Sequence, residues 1–301
     1  MDFCILKREE INTVAWNRCI AEAPLSLVYA FSWYLDALCN KQWAGLILGD
    51  YEGVMPLCHK KKFGITYLYQ PYFCQQLGLF GAQQHLPEAL SLLRSKYRFA
   101  DVNFHTGSPS LPDQLRSRTT FWLSLNKPYE SISAGYHKDA RKNLRRLKEK
   151  SGNYQLETTQ DYRLIIRMFR RVYGNMNPKI RDKDYENLQS ALHQAELAQA
   201  AEAFLIRAEN GDVLAGGIFL KSREHYHYVL GGPFAKDGVN GVHALIDEFI
   251  RLHAGETACL DFEGSDIPSV AAFYRKFGSV PVPYFNWKLN RLPIPLRWLK
   301  R

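Results

Sequence analysis

Two carboxylates near the C-terminal end of the chain have a spacing that could support chemistry. Asp261 and Glu263 stand two positions apart in LDFEGS, within a short apolar run that predicts a β-strand. Because side chains alternate along a strand, both carboxylates face the same side, where one of them could accept a proton from a nucleophile. The alternative is structural, with these carboxylates capping the helix that follows.

A second group of titratable side chains lies in the segment HYHY. His225 and His227 alternate with Tyr226 and Tyr228, so one face of the predicted strand carries two imidazoles and the other carries two phenols. No third residue stands at a spacing typical of a metal site, and we therefore predict no bound metal. The histidines either line a substrate site or form an exposed pair on an edge strand.

Glycines that follow this strand could hold a phosphate or an oxyanion. They lead into the amphipathic segment VHALIDEFIRLHA, so their backbone N–H groups would lie in a loop at a helix N-terminus, where anions are favoured. The predicted cofactor-binding residues are Gly231, Gly232, Gly238, Asn240 and Gly241. The alternative is an ordinary turn followed by the start of a helix.

The segment GYHKDARKNLRRLKEKSG holds seven basic residues and two acidic ones. Its apolar residues recur at helical spacing: Tyr136, Ala140, Leu144 and Leu147. This pattern predicts an amphipathic helix over residues 136–150 whose apolar stripe packs on the protein. Arg141, Arg145 and Lys148 form a row on the opposite surface that is suited to phosphates, unless the helix is simply a solvated charged face.

Charge and cysteine usage restrict the class of protein. The 301-residue chain has a net charge of +9, and its six cysteines show no CxxC spacing, which argues against a zinc site or a disulfide framework. Charges interrupt the N-terminal segment, and no uncharged apolar run approaches the roughly 20 residues that a membrane span needs. We therefore expect a reduced, soluble, cytoplasmic protein without disulfides.

The two halves of the chain share one pattern. Residues 43–73 and 204–234 each consist of three short apolar or alternating runs separated by turn signals, which predicts a β-meander. An amphipathic helix and a strand follow in both halves, LPEALSLLRSKY with FADVNFH and VHALIDEFIRLHA with ACLDFEG. We predict an α/β (α+β) fold of two tandem units, 1–128 and 129–301, each a mixed central sheet flanked by helices.

The order of meander, glycine-containing loop, helix and strand is similar to that of the GNAT (acyl-CoA N-acyltransferase) fold. Doubled, with a basic helix between the halves, it resembles the Fem (FemAB-type) family, on the stretches RKNLRRLKEKSG, LDFEGS and FYRKFGSVPVPY. Fem proteins transfer amino acids from aminoacyl-tRNA to peptidoglycan precursors. The resemblance spans about Trp33 to Lys288 and implies a bacterial transferase whose second unit is catalytic, while the first is structural or holds the acceptor.

Two departures from the family patterns concern the donor. The Fem pattern reads Phe-Lys-x-x-Phe-Gly where this chain has Phe273–Gly278, so Tyr274 replaces a lysine that is thought to assist transfer. The Gln/Arg-x-x-Gly-x-Gly/Ala loop of CoA-binding GNAT enzymes does not fit FAKDGVNGVHAL at either glycine. Tyr274 is, however, similar in place to the tyrosine with which many GNAT enzymes protonate the departing thiolate; the alternative is an aromatic residue packed under the sheet.

The resemblance and the residues together predict an N-acyltransferase that moves an acyl group from a thioester, either acyl-CoA or a carrier protein, to an amine. Tyr274 is the predicted acid and Asp261 or Glu263 the base. Acyl-CoA would be a co-substrate, and no tightly bound cofactor is expected. Two alternatives stay open: aminoacyl transfer from aminoacyl-tRNA to a cell-wall precursor, and a non-catalytic phosphate- or RNA-binding module on a degenerate transferase fold.

Two further segments are assigned to partners. Tyr72, in PYFCQQLGLF, is expected to line the acceptor side of the site or to end a core strand, and joins the predicted substrate-binding set of Arg141, Arg145, Lys148, His225 and His227. The basic C-terminal segment LNRLPIPLRWLKR contains two prolines that oppose a helix. It either makes a transient membrane-surface contact or packs back on the first domain.

Overall fold

The chain folds into two compact units in the computed structural model. The residues described are 2–106, 115–176, 178–234, 241–264, 267–294 and 297. The first unit comprises Met1–Arg118 and Pro283–Arg301, and the second comprises Thr119–Val282. This division differs from the predicted boundary at residue 128, because residues 122–124 pair with Cys259–Asp261 of the second unit and the last segment returns to the first.

Both units combine short strands with α-helices. The strands are β1 (Phe3–Lys7), β2 (Trp43–Leu48), β3 (Gly53–Lys62), β4 (Ile65–Tyr69), β5 (Phe80–Gly81), β6 (Phe99–Phe104), β7 (Leu115–Ser124), β8 (Tyr154–Thr158), β9 (Ala201–Ala208), β10 (Val213–Ser222), β11 (His225–Pro233), β12 (Cys259–Asp261) and β13 (Val280–Asn290). The α-helices are α1 (Thr13–Glu22), α2 (Ser32–Leu38), α3 (Leu86–Lys96), α4 (Tyr129–Ala134), α5 (Lys138–Ser151), α6 (Tyr162–Tyr173), α7 (Asp182–Leu197), α8 (Val242–His253) and α9 (Pro268–Arg275).

The first unit is built on a mixed sheet in the order β1-β2-β3-β4-β6-β13. β1 to β4 pair antiparallel, β4 lies parallel to β6, and the returning strand β13 pairs antiparallel with β6. After β13, the backbone N–H of Arg291 donates to the carbonyl of Arg98, and its guanidinium donates to that of Arg94. The start of the basic C-terminal segment therefore packs on the first unit.

The second unit repeats this plan in the order β7-β12-β11-β10-β9-β8. β8 to β11 are antiparallel, β11 lies parallel to β12, and β12 pairs antiparallel with β7. Each unit thus has the predicted meander followed by a helix and a parallel strand, which are α3 and β6 in the first and α8 and β12 in the second. The predicted duplication is confirmed.

Helices cover both faces of the second sheet. On one face, Phe249 of α8 stacks on Phe219 of β10 with ring centroids 3.7 Å apart, in an aromatic core that also includes Phe204 and Tyr226. On the other face α6 packs closely, since a Cβ added to Gly216 would lie 3.2 Å from Ile165. Because side chains alternate along β11 and β12, each of them faces either the α8 side or the α6 side of the sheet.

The predicted basic helix is confirmed as α5. It begins after His137, whose Nδ1 accepts a hydrogen bond from the Asp139 N–H, and ends at Gly152, where φ is +68° and a side chain would be strained. Ala140 and Leu147 are buried, as the apolar stripe predicts. The helix packs on α8 and leaves its basic residues exposed.

The six cysteines are free thiols, among which the Sγ atoms of Cys39 and Cys58 approach to 3.6 Å in the first unit. Within the described ranges, none of the helices combines the length and apolarity needed to cross a bilayer.

Candidate functional site

The candidate site lies where two parallel strands of the second unit separate. β12 pairs with β11 only from His225 to His227, opposite Cys259–Asp261, while β11 continues to Pro233. We call residues 228–233 and the turn 262–264 the strand opening. On its open side β11 has no strand partner among the described residues beyond His227, and such backbone N–H and C=O groups favour a ligand that can hydrogen-bond to them.

Asp261 is buried at the base of the strand opening and is held by three donors. Its Oδ1 accepts from the Thr120 hydroxyl at 2.5 Å and from the Glu263 backbone N–H at 2.8 Å, and its Oδ2 accepts from the Trp122 indole at 2.9 Å. Burial and the neighbouring Glu263 carboxylate raise the pKa of Asp261 to about 6. Both carboxylate oxygens are therefore engaged with the protein itself.

The sequence predicted Glu263 on the strand, but in the structure it lies beyond the end of β12, which is Asp261. Its φ is +62° and that of Gly264 is +50°, so the chain turns sharply in the left-handed region. A Cβ on Gly264 would lie 2.3 Å from the Thr119 carbonyl oxygen, which only glycine avoids. The turn nevertheless keeps Glu263 beside Asp261, with 15% of its side chain exposed.

The two predicted histidines lie on the face opposite α8, next to these carboxylates. His227 Nδ1 is 2.9 Å from Glu263 Oε1, and its ring is 6.2 Å from that of His225, which packs edge-on against Trp122. Burial lowers the pKa of each imidazole to about 4, so both are neutral at pH 7. Because β11 is an interior strand, they are not an exposed edge pair.

A group of three phenols adjoins the same opening: Tyr173, Tyr228 and Tyr274. Burial raises the pKa of Tyr274 first, and the charges of Glu263, Tyr173 and Asp261 raise it further. The pKa of Tyr228 is raised by burial and then by Tyr274 and Tyr173. Tyr274 also stacks on Phe262, with ring centroids 4.9 Å apart, so the packing role is present, while the chemistry of its hydroxyl stays a prediction.

The predicted glycine loop is partly a strand. Gly231 and Gly232 lie in β11 and pair with Gly217 and Gly216 of β10. Their missing side chains make room for aromatic rings, since a Cβ on Gly231 would lie 2.3 Å from the Tyr228 hydroxyl and one on Gly232 would lie 2.8 Å from Tyr173. Gly241 is the N-cap of α8. Gly238 and Asn240 lie outside the described residues.

The remaining predicted residues lie on α5 and in the first unit. Arg141, Arg145 and Lys148 are exposed on α5, where the Lys148 ammonium lies 6.0 Å from the Tyr154 ring centroid. Tyr72 belongs to the first unit and is 39% exposed. The structure thus brings together Asp261, Glu263, Tyr274, His225 and His227 of the predicted set.

His227, Asp261 and Glu263 each offer a ligand atom within 4.8 Å of the others, a geometry that a cation could use. The Asp261 oxygens are already occupied by protein donors, and a metal would have to compete with them. The absence of a metal cofactor stays a prediction.

Several contributors to the site were missed in the sequence. Thr120 and Trp122 point to the face opposite Phe121 and Leu123, and this alternation on β7 could have identified them as partners of a polar cluster. No comparable sequence pattern identifies Tyr173, which lies at the end of α6. It reaches the strand opening only because α6 packs against β11, a contact that local pattern does not contain.

Comparison with known proteins supports the fold of the second unit. The family described as Acetyltransferase (GNAT) domain matches residues 134–233, which include Tyr173 and β11 but end before Asp261. No protein of established annotation matches the chain significantly.

Three solved structures are similar in fold over nearly the whole chain. FemX covers 99% of each chain with a TM-score of 0.65 at 14% identity. The tandem GNAT protein from the clavulanic acid biosynthesis pathway has a TM-score of 0.51 at 13% identity, covering 97% of this chain and 99% of its own. The C-terminal domain of a putative lysylphosphatidylglycerol synthetase from Agrobacterium fabrum has a TM-score of 0.53 at 9% identity, covering 95% and 93%.

The chain therefore has a Fem-like double-GNAT fold, and the stretch that matches a GNAT domain lies within its second unit.

Proposed function

We propose that the protein is an N-acyltransferase whose second unit transfers an acyl group from a thioester to an amine. One observation supports this most strongly: where β11 and β12 separate, a carboxylate and a phenol, Glu263 and Tyr274, adjoin one opening. Acyl transfer to an amine needs a group that takes a proton from the nucleophile and one that gives a proton to the leaving group. The two side chains can fill these roles.

We assign the base to Glu263 rather than to Asp261. Both oxygens of Asp261 already accept hydrogen bonds and its side chain is buried, so it has little freedom to take a proton from a substrate. Glu263 is partly exposed and is oriented by His227. Asp261 then acts as a positioning residue, because it accepts the Glu263 backbone N–H and holds the turn.

Tyr274 is the proposed acid, and its acidity is coupled to the state of Glu263. The Glu263 carboxylate is one of the charges that raise the pKa of the phenol. When Glu263 takes the amine proton, that charge disappears and the pKa of Tyr274 falls. The amine nitrogen forms a bond to the acyl carbon, the carbon–sulfur bond breaks, and the phenol proton goes to the thiolate.

A transfer assay with a panel of acyl-CoA donors and amines tests this function. Release of free thiol with formation of the amide is the expected result, and both should be slowed in Glu263→Gln and Tyr274→Phe. Acyl-CoA is the co-substrate in this scheme. No thiol release with any donor and amine, despite a folded protein, would refute thioester transfer.

Aminoacyl transfer from aminoacyl-tRNA is the second candidate, and the exposed basic row of α5 favours it. Phosphate contacts release counterions, so tRNA binding through this helix must weaken steeply with salt. The triple variant Arg141→Gln/Arg145→Gln/Lys148→Gln should weaken tRNA binding, whereas neutralising Lys60, Lys61 and Lys62 of β3 provides a control with the same charge change. Salt-sensitive binding without any transfer would favour the non-catalytic binding module.

We propose the cytoplasm as the compartment. Both candidate donors are made there, and the six cysteines are free thiols, as a reducing compartment requires.

A further inference from the structure

An arginine-lined cleft lies between α6 and α7 of the second unit. It has a volume of about 500 Å³, which is the size of a small-molecule site. Its lining comes from the C-terminal half of α6, the following turn and the start of α7: Arg167, Arg170, Arg171, Gly174, Asn175, Ile180 and Tyr185. None of these residues belongs to the predicted site.

The charge in this cleft is only partly compensated by the protein. Arg170 forms an ion pair with Asp182 and lies over the Tyr185 ring at 4.5 Å. Within the described parts of the chain, Arg167 and Arg171 have no carboxylate within ion-pair distance, and Arg171 lies 5.5 Å from the Phe234 ring centroid. Two guanidinium groups therefore remain without a counter-charge.

This arrangement opposes the stability of α6 itself. Arg167 is three residues from Arg170 and four from Arg171, so like charges stand as neighbours on one helix face and repel each other. A solvated helix face usually mixes charges of both signs. Guanidinium groups that converge on a concave surface can instead bind the oxygens of a phosphate in pairs, and a dianion would remove the repulsion.

We propose that this cleft binds the phosphoryl group of the acceptor substrate. Two uncompensated guanidiniums match one phosphoryl dianion, and Asn175 and Tyr185 add polar groups to the wall. The cleft adjoins the strand opening, because Gly174 follows Tyr173, which packs against Gly232 of β11. The acceptor is accordingly a phosphate-bearing amine of small-molecule size.

We assign the cleft to the acceptor rather than to the donor. This assignment rests on the proposed function and on the position of the cleft on one face of the sheet. The cleft belongs to α6, which packs on the face opposite α8. Of the residues predicted to hold the donor phosphate, Gly241 is the N-cap of α8, the helix on the opposite face. Two substrates that react at one opening need separate phosphate sites.

Titration calorimetry with inorganic pyrophosphate tests the cleft without requiring catalysis. Wild-type protein should bind the probe, and Arg167→Gln/Arg171→Gln should lose roughly tenfold affinity or more, because each charged hydrogen bond contributes strongly. Arg163→Gln, an exposed arginine of the same helix outside the cleft, should bind as the wild type does. A thermal unfolding curve for each variant verifies folding.

The possible outcomes distinguish failure of the proposed anion site from failure of the proposed transferase function. Absence of pyrophosphate binding, or equal affinity in the double variant, would overturn the site. Displacement of pyrophosphate by saturating CoA would overturn its assignment to the acceptor, whereas undisturbed binding supports it. Failure of the wild type to bind or use any acyl-CoA would count against the proposed thioester donor while leaving the pyrophosphate titration unaffected.

Discussion

The backbone N–H of Glu263 donates a 2.8 Å hydrogen bond to Oδ1 of Asp261, so one buried carboxylate fixes the position of another that reaches the strand opening. The same Asp261 is fixed from β7 through Thr120 and Trp122. Asp261, whose two carboxylate oxygens both accept hydrogen bonds from the protein, thus determines where the proposed base stands.

The turn should require glycine at position 264, because a side chain there would clash. Gly264→Ala would place Cβ 2.3 Å from the Thr119 carbonyl oxygen at φ +50°, and we expect a loss of roughly 3 kcal/mol in the free energy of unfolding. Gly255→Ala is the matched control, because φ is +89° there and nothing lies within 4 Å of the added Cβ. Its cost should be only about 1 kcal/mol. Urea unfolding compares the two, and equal losses would contradict the proposed close packing.

Glu263→Gln should abolish proton uptake while keeping an oxygen that can face His227. We expect kcat to fall by roughly 10² to 10⁴ with little change in melting temperature. Glu224→Gln, an exposed carboxylate next to β11, serves as the control and should leave kcat unchanged. If Glu263→Gln kept the wild-type rate, Glu263 would not be the base, and another group or the solvent would accept the proton.

Tyr274→Phe removes only the phenol oxygen and preserves the ring that stacks on Phe262. Transfer from acyl-CoA should slow by roughly 10²-fold, and a donor with a more acidic thiol should recover part of that rate because its thiolate needs no proton. Tyr154→Phe, whose ring lies beside Lys148 on the same unit, is the control. A uniform loss with all donors would indicate a packing defect instead of lost acid catalysis.

His105 should make the first unit sensitive to acid. Burial lowers the pKa of this imidazole to about 4 from its ordinary 6.5, so the unfolded chain binds the proton more tightly. Its contribution to stability is complete above pH 6.5 and disappears as the pH falls through 4, with a slope of up to about 1.4 kcal/mol per pH unit. Urea unfolding at pH 7 and pH 5 should show a smaller difference for His105→Gln than for the wild type. An identical pH dependence in both proteins would refute the coupling.

The aromatic core of the second unit should depend on Phe249. Its ring is fully buried against Phe219, and Phe249→Ala should cost roughly 3 to 5 kcal/mol in the free energy of unfolding. Leu252→Ala, on the same helix but 55% exposed, should cost far less. Chemical denaturation of both variants measures the difference, and comparable losses would show that the core tolerates the cavity.

The duplicated architecture could be predicted from sequence because it depends on local pattern. Alternating runs with turn signals identified both meanders, and the 3.6-residue periodicity identified α3, α5 and α8. These patterns record which face of each element is buried, and their recurrence in the same order in both halves reveals the duplication.

The site was only partly predictable because its geometry depends on contacts between elements. Glu263 was expected on a strand, but β12 ends at Asp261, where the turn can hydrogen-bond back to the carboxylate. Gly231 and Gly232 were expected in a loop, yet they extend β11 because rings from Tyr173 and Tyr228 need the space. Glycine composition alone does not distinguish a flexible loop from a close approach of neighbouring groups.

The central claim is that the strand opening receives an acyl thioester. Hydrogen–deuterium exchange of the purified protein with and without saturating acetyl-CoA or a longer acyl-CoA tests it most directly. We predict slower exchange at the backbone amides of 228–233, where the donor would pair with β11, and a raised melting temperature from the same binding. Unchanged exchange at these amides with every acyl-CoA, together with salt-sensitive protection of α5 by tRNA, would contradict a thioester donor.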